Sequence, residues 1–332
     1  MRGAGGLEVR VLGGADVRRL LPMGACIDLM QRTMIAVSDD RARIPLRSVL
    51  PVSTGNLMGL MPGYLAEPEC FGLKVLSLFP DNPAAGFSSH LGLVLLFEPE
   101  HGRPVAILDG AEITAVRTAA VSGLATRLLA REDAGDLAIL GSGEQAQSHV
   151  AAMLAVRPIR RVRVWSRSAE HAAAFAGRES ERHGLAIETA ASVQDAVAGA
   201  DLVCTVTASA TPVLLGEWLA PGMHVNAAGA SRASSAEVDA EAVMRARFFV
   251  DFRLSAVNEA GEYLDALKAG AITPAHILGE IGEVAAGRVV GRRAPEDITL
   301  FKSLGVAPED LATAHFLLEA ARREGVGQIV EL

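Results

Sequence analysis

The sequence has few cysteines, few aromatic residues and no apolar run long enough to cross a membrane. Its three cysteines, Cys26, Cys70 and Cys204, stand far apart, so we expect reduced thiols rather than a disulfide or zinc framework, and no metal site. The strongest apolar run, residues 91–97, is too short to span a bilayer, and the N-terminus lacks a signal-peptide pattern. We therefore expect a cytoplasmic protein without a membrane partner.

Basic residues are also in the minority. With 31 Lys and Arg against 39 Asp and Glu, the formal net charge is -8, which argues against a nucleic-acid partner. A small anionic substrate is still possible, because a few arginines can make one pocket locally positive. The length of 332 residues favours about two domains.

The first third of the chain is predicted to form one helix and a series of strands. Met23, Ile27, Met30, Met34 and Val37 recur at helical spacing, and Pro22 suits a first helical turn. Short β-rich runs follow, separated by turn signals, and together predict an antiparallel sheet layer. These runs are residues 44–50, 57–61, 71–79, 91–97 and 105–108.

From about residue 113 the pattern changes to alternating helices and strands. A helix over about 113–131 leads into a buried strand at 136–140, and such alternation predicts βαβ units with a parallel sheet. Further strands are predicted at residues 162–165, 186–188, 202–206, 224–227 and 248–250. A last helix, about 308–323, carries an apolar stripe and is expected to pack back on the first domain, with no strand after it. Leu311, His315, Leu318 and Ala321 form the stripe.

A glycine motif lies at the junction of the first of these strands with the next helix. It reads Gly141, Ser142, Gly143, Glu144, Gln145, Ala146, the G-x-G-x-x-A pattern of dinucleotide-binding loops. The pattern alone is weak evidence, but the strand before it and the helix after it are the context that it requires. A plain glycine turn is the alternative. We predict that the pyrophosphate of a dinucleotide binds at this helix N-terminus.

The end of the second strand favours NADPH over NADH. NAD sites usually place Asp or Glu there, whereas this chain has Ser166, Arg167 and Ser168 after Trp165. Two hydroxyls and a guanidinium suit a 2′-phosphate. NADH remains possible if Arg167 is only a solvated surface residue. Other positions assigned to the cofactor are Thr118, Thr205, Val206, Thr207 and Ala228.

Three basic residues of the first domain stand among apolar neighbours. Lys74 lies in a strand pattern on the same face as Leu76 and Leu78, while Arg47 and Arg117 lie in similarly apolar segments. Each alone is more often structural. Together they could form a clamp for a carboxylate, with Arg binding through two parallel hydrogen bonds.

Nearly the whole chain resembles the ornithine cyclodeaminase/mu-crystallin family, and the order and spacing of the motifs agree. The segments 113–121, with Arg-Thr-Ala-Ala, and 301–305, Phe-Lys-Ser-Leu-Gly, are more specific than the glycine loop. The other matching segments are residues 72–75, 89–90, 93–99, 108–110, 141–146, 198–201, 216–218 and 225–232.

This resemblance implies an α/β homodimer with a Rossmann domain and a discontinuous α+β substrate and dimerisation domain. The boundaries would be 117–305 for the Rossmann domain, and 1–116 with 306–332 for the other. The resemblance also implies hydride exchange between a nicotinamide and the α-carbon of an amino acid or its imine. Arg47, Lys74 and Arg117 fall where the family holds the substrate carboxylate.

One departure from the family pattern narrows the activity. Ornithine cyclodeaminases have an Asp where this chain has Ser231, and a serine does not act as a base at neutral pH. We therefore predict an NADPH-dependent ketimine reductase acting on a cyclic imino acid, such as Δ1-pyrroline-2-carboxylate or Δ1-piperideine-2-carboxylate. Lys74 is the candidate proton donor, and His90 and Ser231 are expected to border the pocket.

Several alternatives stay open. They are an ornithine cyclodeaminase with a different acid, an alanine or other amino-acid dehydrogenase, an opine-like enzyme that condenses amines, and an NADPH-gated protein that binds a small ligand without turnover. Arg and Lys anchoring of a carboxylate would serve all of the enzymes.

Overall fold

The structure, a computed structural model, describes residues 7–332 apart from the side chain of Pro83. Contacts between residues divide the chain into two compact units. The first unit is formed by the chain up to Arg117 together with Val306–Leu332, and the second by Thr118–Gly305. The assignment of substrate binding to the first unit and of cofactor binding to the second is a prediction.

The first unit contains a sheet in the order β16-β1-β7-β6-β5-β4-β2, with β3 paired to β4. The pairs from β2 to β7 are antiparallel, as predicted, whereas β1 lies parallel to β7. With strands numbered along the whole chain, this sheet comprises β1 (Glu8–Leu12), β2 (Ala42–Arg43), β3 (Ser48–Ser53), β4 (Asn56–Ala66), β5 (Glu69–Leu78), β6 (His90–Phe97), β7 (Pro104–Asp109) and β16 (Gln328–Glu331).

One face of this sheet is covered by the last helix. The unit has α1 (Gly14–Leu20), α2 (Met23–Ser38) and α11 (Ala307–Glu324), and α11 packs on β4, β5 and α2. Two glycines make the close approach possible. A Cβ on Gly72 would lie 2.8 Å from Leu311, and one on Gly63 would lie 2.8 Å from Ala307, so larger residues there would push the helix away.

Two predictions for this unit were wrong. A strand does follow the last helix, because Gly325 ends α11 in a left-handed conformation (φ 67°) and β16 then returns to pair with β1. The run 44–50 is not one strand either, since β2 ends at Arg43 and β3 begins at Ser48. Pro45 lies between them, and a proline has no N–H to donate to a sheet.

The second unit is a wholly parallel sheet in the order β10-β9-β8-β11-β12-β15-β13-β14. This confirms the predicted parallel sheet, although β14 and β15 were not predicted. The strands are β8 (Asp136–Leu140), β9 (Arg161–Trp165), β10 (Ile187–Thr189), β11 (Leu202–Thr205), β12 (His224–Ala227), β13 (Arg247–Val250), β14 (Ile277–Glu280) and β15 (Thr299–Lys302).

Helices follow most of these strands. They are α4 (Glu144–Val156), α5 (Ala169–His183), α6 (Val193–Val197), α7 (Ala240–Arg245), α8 (Arg253–Glu259), α9 (Gly261–Lys268) and α10 (Ile281–Ala285), while α3 (Gly110–Leu129) runs from the first unit into the second. The strand order reverses direction between β8 and β11. Ligands of open α/β sheets bind beyond the carboxyl ends of the strands at such a reversal.

All three cysteines are buried free thiols, as predicted. Among the described residues no single helix is long and apolar enough to cross a membrane. The bent pair α1 and α2 passes the same test by length and composition only.

Candidate active site

The glycine loop begins directly after β8, at the reversal of strand order. Gly141 has φ 124°, and a Cβ there would lie 2.6 Å from the carbonyl oxygen of Val206, so both the turn and the neighbouring strand require glycine. At Gly143, which precedes α4, a Cβ would meet nothing within 4 Å, so the space beside the backbone is open. Ala146 is fully buried where α4 packs on the sheet. These features fit a pyrophosphate at the start of α4.

The residues after β9 approach the same loop. The hydroxyls of Ser142 and Ser166 lie 3.0 Å apart, and Arg167 is exposed. Ser168 is the N-cap of α5, because its Oγ accepts a hydrogen bond from the backbone N–H of His171 at 3.1 Å. The same hydroxyl donates to Glu170 at 2.8 Å, which lowers the pKa of that carboxyl. Ser166 and Arg167 are therefore better placed than Ser168 to receive a phosphate.

A buried carboxylate that the sequence analysis missed ties together the loops after β11 and β12. Glu237 accepts from the backbone N–H and the hydroxyl of Thr207 at 2.6 and 2.7 Å, from the hydroxyl of Thr205 at 2.9 Å, and from the N–H of Gly229 at 2.6 Å. Burial is the largest influence on this group and raises its pKa. Thr205, Val206, Thr207 and Ala228, all assigned to the cofactor, lie in or directly beside the segments that Glu237 holds.

The loop that contains Ser231 is fixed from a second side. Lys302 is fully buried at the end of β15, and its Nζ donates to the carbonyl of Ala230 at 2.6 Å and to Glu262 at 2.9 Å. Ser231 itself is half-buried directly after Ala230. The sequence analysis included Lys302 only as part of a family motif. A single lysine in the sequence does not show that it is buried or which acid it pairs with.

In the first unit, Lys74 and Arg117 converge on one carboxylate. Asp310 accepts from Lys74 Nζ at 3.2 and 3.3 Å and from Arg117 Nε at 2.9 Å. Arg117 also donates through Nη1 to Glu309 at 2.6 Å. All four side chains are at most 4% exposed. The two predicted cations therefore lie together, on a pair of acids at the start of α11 that the sequence analysis did not identify.

Both cations keep hydrogen-bonding capacity for a ligand. A lysine ammonium has three N–H donors and a guanidinium has five, more than the bonds to Asp310 and Glu309 use. Burial, followed by the nearby charge of Arg117, lowers the pKa of Lys74 to about 8, while Asp310 opposes that shift. An ammonium with a pKa near the working pH is an effective proton donor.

The other two predicted residues of this unit, Arg47 and His90, are less buried than Lys74 and Arg117. Arg47 is half-buried in the segment before β3, and its positive charge makes a minor contribution to the lowered pKa of Lys74. His90 is exposed at the start of β6 and pairs with Leu78, four residues along β5 from Lys74. That spacing is about 13 Å, on the same face of the sheet.

The fold and this set of residues define an α/β protein whose second unit has the parallel-sheet topology of a Rossmann fold. The chain belongs to the ornithine cyclodeaminase/mu-crystallin family, whose model matches residues 8–325. The recognition made from the sequence motifs is thus confirmed.

Within this family, the chain is similar to reductases of known sequence and to one of known structure. The chain is 34% identical over 323 residues to a Δ1-pyrroline-2-carboxylate reductase of Bacillus cereus, covering 97% of this chain and 99% of that protein. It is 39% identical over 277 residues to the mouse ketimine reductase mu-crystallin, covering 83% and 84% of the two chains. A Thermococcus litoralis Δ1-pyrroline-2-carboxylate reductase, solved with NADH and L-proline, matches with a TM-score of 0.94 at 35% identity, covering 97% and 100%.

Proposed function

We propose that this protein is an NAD(P)H-dependent ketimine reductase that converts a cyclic imino acid, such as Δ1-pyrroline-2-carboxylate, to the corresponding amino acid. The observation that carries the proposal is the convergence of Lys74 and Arg117 on Asp310, which joins a carboxylate-binding guanidinium to an ammonium of lowered pKa. The similarity to two groups of imine reductases supports the same reaction. Ser231 supports reduction over cyclodeamination, since it offers no carboxylate to the substrate amine.

In this proposal Arg117 binds the substrate carboxylate through a pair of hydrogen bonds, and Arg47 adds positive charge near the same position. Lys74 donates a hydrogen bond, and then its proton, to the imine nitrogen, which makes the adjacent carbon electrophilic. When bound, NAD(P)H would supply the hydride for that carbon. The residues of the chain contribute by orienting the substrate and holding the proton at Lys74 Nζ.

For the cofactor we propose NADPH in preference to NADH. Ser166 and the exposed Arg167 offer a hydroxyl and a guanidinium where NAD sites carry an acid. A guanidinium binds a phosphate through two parallel, charge-assisted hydrogen bonds. The carboxylate of Glu170, bonded to Ser168, opposes this preference, because like charges repel.

The activity is tested by oxidation of NADPH and NADH in the presence of cyclic and linear imino acids. We expect rapid oxidation with Δ1-pyrroline-2-carboxylate or Δ1-piperideine-2-carboxylate, and a higher kcat/KM for NADPH. Cofactor-neutral consumption of ornithine would instead identify a cyclodeaminase, and release of ammonia from alanine with NAD(P)+ would identify a dehydrogenase. Saturable NADPH-dependent ligand binding without any turnover would identify a binding protein.

We also propose that the protein forms a homodimer through the face of the first sheet opposite to α11. Leu50, Met58, Ser77 and Leu91 form one cross-strand row on β3 to β6, and Leu93 lies on the same face. Leu50, Leu91 and Leu93 are 57%, 42% and 45% exposed, which is unusual for the outer face of an antiparallel sheet.

Light scattering tests the dimer directly. The chain mass is 34.7 kDa, and we expect the particle in solution to have about twice that mass. A Leu50→Glu, Leu91→Glu double variant should then shift to the monomer, because each subunit would bury two charges at the interface. A monomeric unmodified protein would contradict the proposal.

A further inference from the structure

The two acidic residues at the start of α11, Glu309 and Asp310, bond different partners. Glu309 serves its own helix, because its Oε1 accepts from the backbone N–H of Val306 at 3.3 Å while Oε2 bonds Arg117. Asp310 instead directs both carboxylate oxygens at Lys74 and one of them also at Arg117. Its side chain is fully buried. Burying a carboxylate is strongly unfavourable unless hydrogen bonds and opposite charges offset the lost hydration.

The bond between Lys74 and Asp310 links segments that are 236 residues apart in the chain. Lys74 lies on β5, which pairs with β4 on one side and β6 on the other, and Asp310 lies on a helix that packs on the same strands. A lysine side chain has four flexible carbon–carbon bonds and holds one position only when a partner fixes its ammonium. The carboxylate of Asp310 provides that fixed point from the opposite layer.

We infer that Asp310 is a positioning residue for the reaction: it fixes the ammonium of Lys74 beside the guanidinium of Arg117, so that proton donor and carboxylate clamp act on one imino acid. This inference rests on the proposed reductase function. It assigns a role in turnover to a residue that would otherwise be read as part of a structural ion pair.

The charged groups around Lys74 determine how the loss of Asp310 would change the pKa of Lys74. Burial, Arg117 and Arg47 lower the pKa of Lys74, whereas Asp310 raises it, giving about 8. Cys26 also lies near Glu309 and Arg117, but burial raises the pKa of its thiol to about 12, so it stays neutral. Without the charge of Asp310, the pKa of Lys74 falls further, and the ammonium loses its proton at a lower pH.

The experiment compares Asp310→Asn with the matched control Glu309→Gln. Activity needs protonated Lys74, so kcat/KM should fall as pH rises through the pKa of this group. In Asp310→Asn we expect this alkaline limb to move to lower pH by about one unit or more, with a lower kcat. Glu309→Gln removes an equally buried carboxylate that bonds Arg117 and not Lys74. The alkaline limb of the pH profile of this variant should therefore move much less.

A second readout does not depend on turnover. The chain has three lysines, Lys74, Lys268 and Lys302, so a lysine-labelled sample gives few NMR signals, and a Lys74→Met variant assigns the one of interest. We expect its titration midpoint to fall in Asp310→Asn and to stay close to the parent value in Asp310→Glu, which keeps the charge.

The outcomes separate this inference from the proposed function. An active parent enzyme whose alkaline limb and Lys74 titration are both unchanged in Asp310→Asn would overturn the positioning role and leave the reductase proposal intact. A parent enzyme inactive on every imino acid would overturn the reductase proposal, and with it the role in turnover. If Asp310→Asn does not fold, Asp310→Glu decides: lower kcat with an unmoved limb supports the inference, and parent-like kcat contradicts it.

Discussion

An Arg117→Ala variant is expected to lose about 3–5 kcal/mol of unfolding free energy and on the order of 100-fold in kcat/KM for the imino acid. The stability loss follows because the truncation removes a buried cation from Glu309 and Asp310, which bond it at 2.6 and 2.9 Å. The kinetic loss follows because about 3 kcal/mol of charge-assisted hydrogen bonding to the substrate carboxylate disappears. Urea unfolding and steady-state kinetics measure the two effects separately.

Two further variants separate charge from geometry at this position. Arg117→Lys keeps the cation but not the planar fork, so we expect a smaller loss of stability and still a raised KM for the imino acid. Arg18→Ala removes an arginine whose side chain is 60% exposed in a surface ion pair with Glu112, and it should change either quantity very little. Full catalytic efficiency in Arg117→Ala would refute the clamp.

Lys74→Met is expected to lower kcat by about 10²- to 10⁴-fold, because it removes the proposed proton donor and leaves a side chain of similar size. The fold should suffer less than in Arg117→Ala, because Arg117 still bonds Asp310 at 2.9 Å. Binding of NADPH should be unchanged, since the residues assigned to it lie in the second unit. Stopped-flow reduction, urea unfolding and cofactor titration by fluorescence test these three expectations in turn.

The matched control for this variant is Lys268→Met, because Lys268 is exposed at the end of α9. It should leave kcat unchanged. A Lys74→Met enzyme with parent-like kcat and an unaltered pH profile would show that the imine nitrogen obtains its proton from another group, such as water.

The sequence predicted most of the architecture of the second unit, because most of the strands that it identified there are short apolar runs next to a turn signal. It missed β15, which ends in the charged Lys302. A lysine in a sequence pattern indicates an exposed position, and nothing in the sequence shows that Glu262 pairs with this one in the interior. It missed β16 for a similar reason. That strand has only four residues, all exposed, and its pairing with β1 is a tertiary contact that no local pattern carries.

The glycine loop and the three basic residues were also accessible from sequence, the loop through its local context and the cations through family motifs. Their acidic partners were not. Glu309 and Asp310 occupy the first turn of a helix, where acids are usually exposed and favoured by the helix dipole, so periodicity gives no reason to bury them. Glu237 likewise acts on Thr205, Thr207 and Gly229, segments that only the folded sheet brings together.

The most direct test of this account is the rate of NADPH oxidation with Δ1-pyrroline-2-carboxylate, measured for the parent protein and for Lys74→Met from mildly acidic to alkaline pH. We expect rapid turnover by the parent, with activity falling as pH rises through about 8, and little turnover by the variant at any pH. No oxidation with any cyclic imino acid, or equal rates for parent and variant, would contradict it.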